Sequence, residues 1–143
     1  MNQGNFNLGS VAVTTALTNS VITSGTSPAG AAQAFLDRFE GMQNLAIFAN
    51  FTYGSGGTTC AVIVQTTFDD TNWIDIARFD FLLASRSAVA NLSAALSKAV
   101  ATVAALGSEG VNDGVLGAKL RAKVTSTGTY AGNTSVAVYI GAR

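Results

Sequence analysis

The chain has 143 residues, enough for one domain that buries a real core, and its eight basic and eight acidic residues cancel to a formal net charge of zero. Only 11% of the residues are charged, against roughly 25% in an ordinary globular domain, while 48% are hydrophobic. Cys60 is the only cysteine and histidine is absent, which excludes an intrachain disulfide, a cysteine–histidine zinc site and every mechanism built on an imidazole base.

From the N-terminus, the first strand signal is weak. Val11 and Val13 alternate, Val21-Ile22 follows, and a Thr/Ser/Gly turn ends at Pro28. This predicts one or two short strands, and residues 1–28 read as an edge segment or as an arm bridging to a neighbour. The centre is clearer. Leu45, Ile47, Ala49, Phe51 and Tyr53 share one face of a strand, and Gly54-Ser55-Gly56-Gly57 is a turn. Residues 58–68 form a second strand, with Cys60, Val62 and Val64 on one face and Ala61 and Ile63 on the other, as suits a strand covered on both sides. After the Asp69-Asp70-Thr71-Asn72 turn, residues 73–83 form a third strand. It places Trp73, Ala77, Phe79, Phe81 and Leu83 inward and Arg78 and Asp80 outward. Short turns between three strands predict an antiparallel meander.

Residues 84–106 carry an Ala/Leu content that favours helix, yet Ala88, Ala90 and Leu92 alternate, as do Ala99, Ala101 and Val103. Two strands are preferred over one helix. Arg86, Asn91 and Lys98 break this stretch, so it does not read as a membrane span, and the N-terminal residues lack the basic and apolar blocks of a signal peptide. At the C-terminal end Leu120, Ala122 and Val124 alternate with Lys119, Arg121 and Lys123, a long turn covers residues 127–133, and Val136, Val138 and Ile140 alternate again, predicting a hairpin. Seven to nine short strands at this spacing indicate an all-β antiparallel sandwich of jelly-roll-like type, one domain over residues 1–143. Its expected core includes Phe51, Val62, Val64, Trp73, Phe79, Phe81, Val124 and Val138.

No residue set points to catalysis. Cys60 falls in a buried strand and reads as a small core residue. The carboxylates Asp37, Glu40, Asp69, Asp70, Asp75, Asp80, Glu109 and Asp113 show no spacing that marks a catalytic pair. The Asp69–Asn72 turn lacks the glycine and terminal glutamate of a calcium loop and reads as an Asx-type turn. Its setting between Thr67 and Trp73 resembles the Asp-box turn of sialidase-type propellers, which is itself structural and implies a hairpin. Gly54 to Gly57 lacks the lysine and hydroxyl residue of a phosphate loop. Lys119, Arg121 and Lys123 put three cations on one strand face, a pattern that suits water or an acidic protein surface better than nucleic acid. Three matches to the glycosylation sequon, at Asn50, Asn91 and Asn133, read as chance in so Thr/Ser-rich a chain. No catalytic residue, metal ligand or cofactor is therefore expected.

Two stretches resemble a known kind of protein. Val62-Ile63-Val64-Gln65-Thr66-Thr67-Phe68-Asp69, followed by Trp73-Ile74-Asp75-Ile76-Ala77, lies within residues 58–77 and is similar to a phrase of small structural proteins from tailed-phage head modules. Leu120-Arg121-Ala122-Lys123-Val124-Thr125 and Thr127-Gly128-Thr129-Tyr130-Ala131-Gly132, within residues 117–132, look like their C-terminal phrase. Together the two stretches cover about a quarter of the chain. The resemblance implies a jelly-roll-like capsid decoration, or cement, protein. Such a protein is made in the host cytoplasm and bound to the exterior of the virion capsid over joints of the major capsid protein. Its partners would be that protein and other copies of itself, with neither nucleic acid nor membrane. A low-charge, apolar-rich surface that partners cover agrees with this expectation. The rival from another class is a carbohydrate-binding or adhesin-like β-sandwich, for which Tyr53, Trp73, Tyr130 and Tyr139 are the candidate aromatics. A tail or neck component of the same virion is a third reading.

Overall fold

The computed structural model describes residues 3–26, 32, 33, 35–94 and 96–143; the Pro28 end of the N-terminal turn lies outside them. Among the described residues all regular structure is strand, with no helix. In chain order these are β1 (Gly4–Ala12), β2 (Ser20–Val21), β3 (Gly25–Thr26), β4 (Ala32–Gln33), β5 (Asn44–Thr52), β6 (Ser55–Gly56) and β7 (Thr59–Thr67). They continue as β8 (Trp73–Phe81), β9 (Arg86–Ser93), β10 (Gly110–Val111), β11 (Lys119–Thr127), β12 (Tyr130–Ala131) and β13 (Ser135–Ala142).

The pairing is nested. β7 pairs with β8, β5 with β9, β11 with β2, and β1 with β13, each pair antiparallel and enclosing the previous one in sequence. This long hairpin is rolled up by two further ladders, β13 with β5 and β11 with β7. The result is sheet A, in the order β1-β13-β5-β9, facing sheet B, in the order β10-β8-β7-β11-β2. That order is a jelly roll, extended by β10 at one edge of sheet B.

Alternation decides which residues fill the space between the sheets. Leu45, Ile47, Ala49 and Phe51 of β5, Val136, Val138 and Ile140 of β13, Val62 and Val64 of β7, and Leu120, Ala122 and Val124 of β11 are all buried there, as are Phe79 and Phe81. Phe51 stacks on Phe81 with ring centroids 4.9 Å apart. The N-terminal segment also belongs to this domain: β1 is an edge strand of sheet A, and Leu8, Val13 and Ile22 are core residues.

Four expectations change. Trp73 is not core. The register with β7 runs Ala77↔Val64 and then Asp75↔Gln65, so Ile76 is an extra residue in β8. This bulge puts both Ile76 and Ala77 inside and turns Trp73 and Asp75 to the outer face beside Arg78. Leu83 is exposed, because β8 has ended at Phe81. Most of the predicted meander and the C-terminal hairpin are crossings between sheets: β5 and β13 lie in sheet A, β7 and β11 in sheet B, and of the strands predicted to be hairpin partners only β7 and β8 pair with each other. Finally, residues 84–106 hold one strand, β9, while residues 97–107 have no regular structure.

Phe79 is buried between the sheets. Phe79→Ala is expected to lower the unfolding free energy by about 3–5 kcal/mol, read as a fall in the denaturant midpoint at unchanged slope.

Candidate functional site

The two outer faces of the sandwich differ in kind. On sheet B the outward residues are charged and bound to one another. Arg121 lies over the Trp73 ring at 4.1 Å from its centroid and donates from Nε to Gln65 Oε1 at 2.9 Å. Gln65 Nε2 donates to Asp75 Oδ1 at 2.6 Å. The other Asp75 oxygen, Oδ2, accepts from the Leu106 amide at 3.0 Å, and the Arg78 guanidinium donates to the Leu106 carbonyl at 2.8 Å. Lys119 pairs with Asp70 at 2.8 Å and sits above the Phe35 ring. Lys119, Arg121 and Lys123 thus share a face as predicted. Two of the three cations are engaged within the chain, so the row is no free cationic stripe. Trp73, covered by Arg121, offers no flat stacking surface.

The remaining sequence candidates are structural as well. Cys60 is buried, and burial pushes its thiol up to about 12, away from thiolate chemistry. Asp69 caps its own turn. Its Oδ1 accepts from the amides of Asn72 at 2.7 Å and Thr71 at 2.9 Å, and Oδ2 accepts from the Asn72 side chain. These hydrogen bonds, that from the Asn72 amide foremost, hold the carboxyl at about 2. No group of three or more acidic, cysteine or histidine side chains among the described residues is arranged to hold a metal ion. Tyr130 is buried, its hydroxyl donating to the Leu82 carbonyl at 2.9 Å, and Tyr53 packs partly buried against it. Of the four candidate aromatics only Tyr139 is well exposed.

Sheet A is the opposite. Its register lines the outward residues up in rows across all four strands. One row is Asn7, Tyr139, Phe48 and Val89; the next on one side is Asn5, Gly141, Ala46 and Asn91; on the other it is Ser10, Ala137, Asn50 and Ser87. None of these side chains is charged. Phe48 and Tyr139 are 39% and 44% exposed, with ring centroids 6.1 Å apart and planes inclined at 40°, and Val89 beside them is 69% exposed. Sequence reasoning did not single out Phe48, although alternation against Ile47 and Ala49 already places it outside. A face with a small apolar centre and a polar surround, with the Arg143 guanidinium at its rim reaching Asn5 Oδ1 at 3.5 Å, is built like the middle of a protein–protein interface. It contrasts with an ordinary solvated sheet face, which carries lysine and glutamate.

The other unassigned feature is the loop from β9 to β10. Residues 96–105 are all exposed, among them Leu96, Val100 and Val103. Loops of this length without secondary structure are uncommon in compact domains and are usually functional or disordered.

No family model matches the chain, and no curated protein matches its sequence. Two solved structures superpose weakly on nearly all of it. One is the N-terminal CBM22-1–GH10 module pair of Clostridium thermocellum endo-1,4-β-D-xylanase 10B, complexed with xylohexaose. It shares 9% identity at a TM-score of 0.41, over 96% of this chain and 28% of the xylanase chain. The chain therefore spans well under a third of the xylanase chain it matches. The other is Sacbrood virus of honeybee in an expansion state, with 14% identity and a TM-score of 0.37 over 99% of this chain and 79% of the viral one. Neither likeness extends beyond general β-sandwich shape.

Two measurements check the local chemistry. Cys60 is expected to resist a thiol reagent in the native protein and to react fully once denaturant is added. The Asp69 carboxyl is expected to titrate at about 2 by carbon-detected NMR, and Asn72→Ala to raise it only in part, since alanine loses the side-chain hydrogen bond but keeps the amide that holds the carboxyl most. Because the folded value is the lower one, Asp69 contributes stability at pH values above 3.8, and that contribution disappears as pH falls through about 2.

Proposed function

We propose that this chain is a structural virion protein that decorates and stabilises a tailed-phage capsid, seating the uncharged outer face of sheet A on the lattice of the major capsid protein. The observation that carries the reading is that face: rows of outward residues across four strands without a single charge, around Phe48, Tyr139 and Val89. The phage-like phrases support it from another direction. Residues 58–77 and 117–132 are far apart in sequence, yet their strands β8, β7 and β11 are consecutive neighbours in sheet B. The resemblance thus falls on one coherent half of the fold. In this reading the protein works on the capsid exterior, is made in the host cytoplasm and binds the shell and other copies of itself. It carries out no reaction and uses no cofactor, nucleic acid or membrane.

A stiff two-layer sandwich suits such work, since a rigid body gives up little conformational entropy when it docks. Each contact can be modest, because copies joined to a repeating shell gain by avidity. The second reading, a carbohydrate-binding or adhesin-like module, draws on the Phe48–Tyr139 pair as a sugar platform. The mutual tilt of those rings and the uncharged rows around them fit a protein surface better.

The chain is expected in purified particles and is expected to stay there in about molar salt. At that strength the Debye length is ~3 Å and surface ion pairs are screened, but burial persists. Phe48→Ser with Tyr139→Ser should fold, since both rings are partly exposed and no like charges are set opposite each other, and should be lost from particles. Release of all wild-type copies by salt alone would show an electrostatic contact. Absence from particles before any salt is added would defeat the decoration reading and promote binding to a glycan array.

A further inference from the structure

The loop between β9 and β10 is anchored at both ends; between them Lys98 Nζ donates to the Asp113 carbonyl at 3.4 Å and the segment lines a shallow cavity with Ile74, Val111 and Val115. At its start the Leu96 amide donates to the Ser93 carbonyl, and the Ser93 amide donates to Asp113 Oδ1 at 2.6 Å. At its far end Leu106 is gripped through its amide by Asp75 and through its carbonyl by Arg78. Between these anchors, residues 97–105 run without a bend, and none of their backbone amides or carbonyls has a hydrogen-bond partner among the described residues. Val100 is fully exposed and Val103 is 62% exposed. Lys98 is the one charge in this stretch. An irregular, nearly uncharged segment with free backbone groups, in which Val100, Thr102 and Val103 are β-branched, has the backbone groups that a sheet edge can pair.

The same molecule has a sheet lacking a strand. Sheet A stops at β9, whereas sheet B runs past β8 to β10. Where the layers end unevenly there is a groove of about 290 Å³, lined by Phe79, Ala88, Val89, Ala90 and Val111 and bordered by Arg78 and the Arg86–Glu109 ion pair. β9 pairs only with β5, so its other backbone edge is open along most of its eight residues. A fifth strand beside β9 would cover that groove. The part of the floor that β9 itself supplies is small, Ala88, Val89 and Ala90, and Ala99, Val100, Ala101, Thr102 and Val103 are of that size. Residues 97–105 can span about 30 Å when extended, enough to follow the whole of β9. The chain's own loop is led away from this edge, since Leu106 is fixed to the outer face of sheet B.

We propose that residues 97–105 form an exchange arm that adds, as an extra strand, to the open β9 edge of a second copy of this chain. Backbone hydrogen bonds would supply affinity and the small residues of β9 the fit, as in other strand additions. Reciprocal exchange closes as a two-fold dimer, and head-to-tail exchange gives a ring where the rotation closes and a filament where it does not. The arm and edge are distinct from the Phe48–Tyr139 rows, so the inference stands whether or not the protein decorates a capsid.

The test uses the purified full chain without particles. Sedimentation at micromolar concentration should give twice the 14.5 kDa chain mass or more. Replacing Ala101 and Thr102 with proline removes two adjacent amides, one of which faces the partner in either register. This variant should sediment as a monomer with an unchanged thermal midpoint, because the arm makes no backbone hydrogen bonds within its own fold. Hydrogen exchange should show the amides of residues 99–104 and the outward amides of β9 protected in the wild type, and both unprotected in the variant. A wild-type monomer, an assembly that survives the prolines, or protection of the arm without protection of β9 would each overturn the proposal. A monomer in solution whose arm becomes protected only on particles would assign the arm to the shell protein instead.

Discussion

The fold closes around one phenol ring. Tyr130 sits where three inter-sheet crossings meet: the chain passing from β5 to β7, from β8 to β9, and from β11 to β13. Its hydroxyl takes the Leu82 carbonyl at the β8 exit. Its ring meets Phe51 edge-on at 5.9 Å and Tyr53 at 6.1 Å, at the β5 exit. Its own segment, β12, pairs with β6 in the opposing turn. Space for the ring exists because residue 57 is glycine; a Cβ there would come within 2.3 Å of the ring, and φ of +73° already favours glycine. If this corner opened, the two sheets would lose the joint that fixes their separation, and the nested pairing of β1 with β13 would have nothing to close around.

This corner also explains what the sequence could reveal. Alternation in β5, β7, β11 and β13 named the buried residues correctly, because the spacing of side chains along a strand is indifferent to which strand lies beside it. That same indifference hid the partners. Gly54–Gly57 and residues 127–133 read as ordinary hairpin turns, and nothing local says that they carry the chain across a sandwich. Trp73 was misplaced by a single extra residue, Ile76, since a bulge reverses every face beyond it. Residues 84–106 read as two strands; the alternation of Ala88, Ala90 and Leu92 became β9, whereas that of Ala99, Ala101 and Val103 falls in a segment without regular structure, because alternation alone supplies no pairing partner.

The candidate surfaces were legible to different degrees. The cation row of β11 was visible at once, but its engagement by Asp70, Gln65 and Trp73 is a tertiary fact. The uncharged face of sheet A was present in the sequence only as a shortage of charge. Folding turned that shortage into geometry, because the sixteen charged residues are placed on sheet B, in turns and at rims, and none in the rows centred on Phe48.

The segregation of charge has a consequence for the protein before it meets any partner. A sandwich with one ionic face and one neutral face has two kinds of hydration, and its sequence pI of about 6.1 leaves little net repulsion near neutral pH. Copies in a crowded pool are therefore held apart neither by like charge nor by a strongly solvated sheet A. On the decoration reading, the neutral face would have to find the shell sooner than it finds the neutral face of another copy. The timing of synthesis relative to assembly would then be a colloidal property of the molecule, set by where sixteen charges were placed.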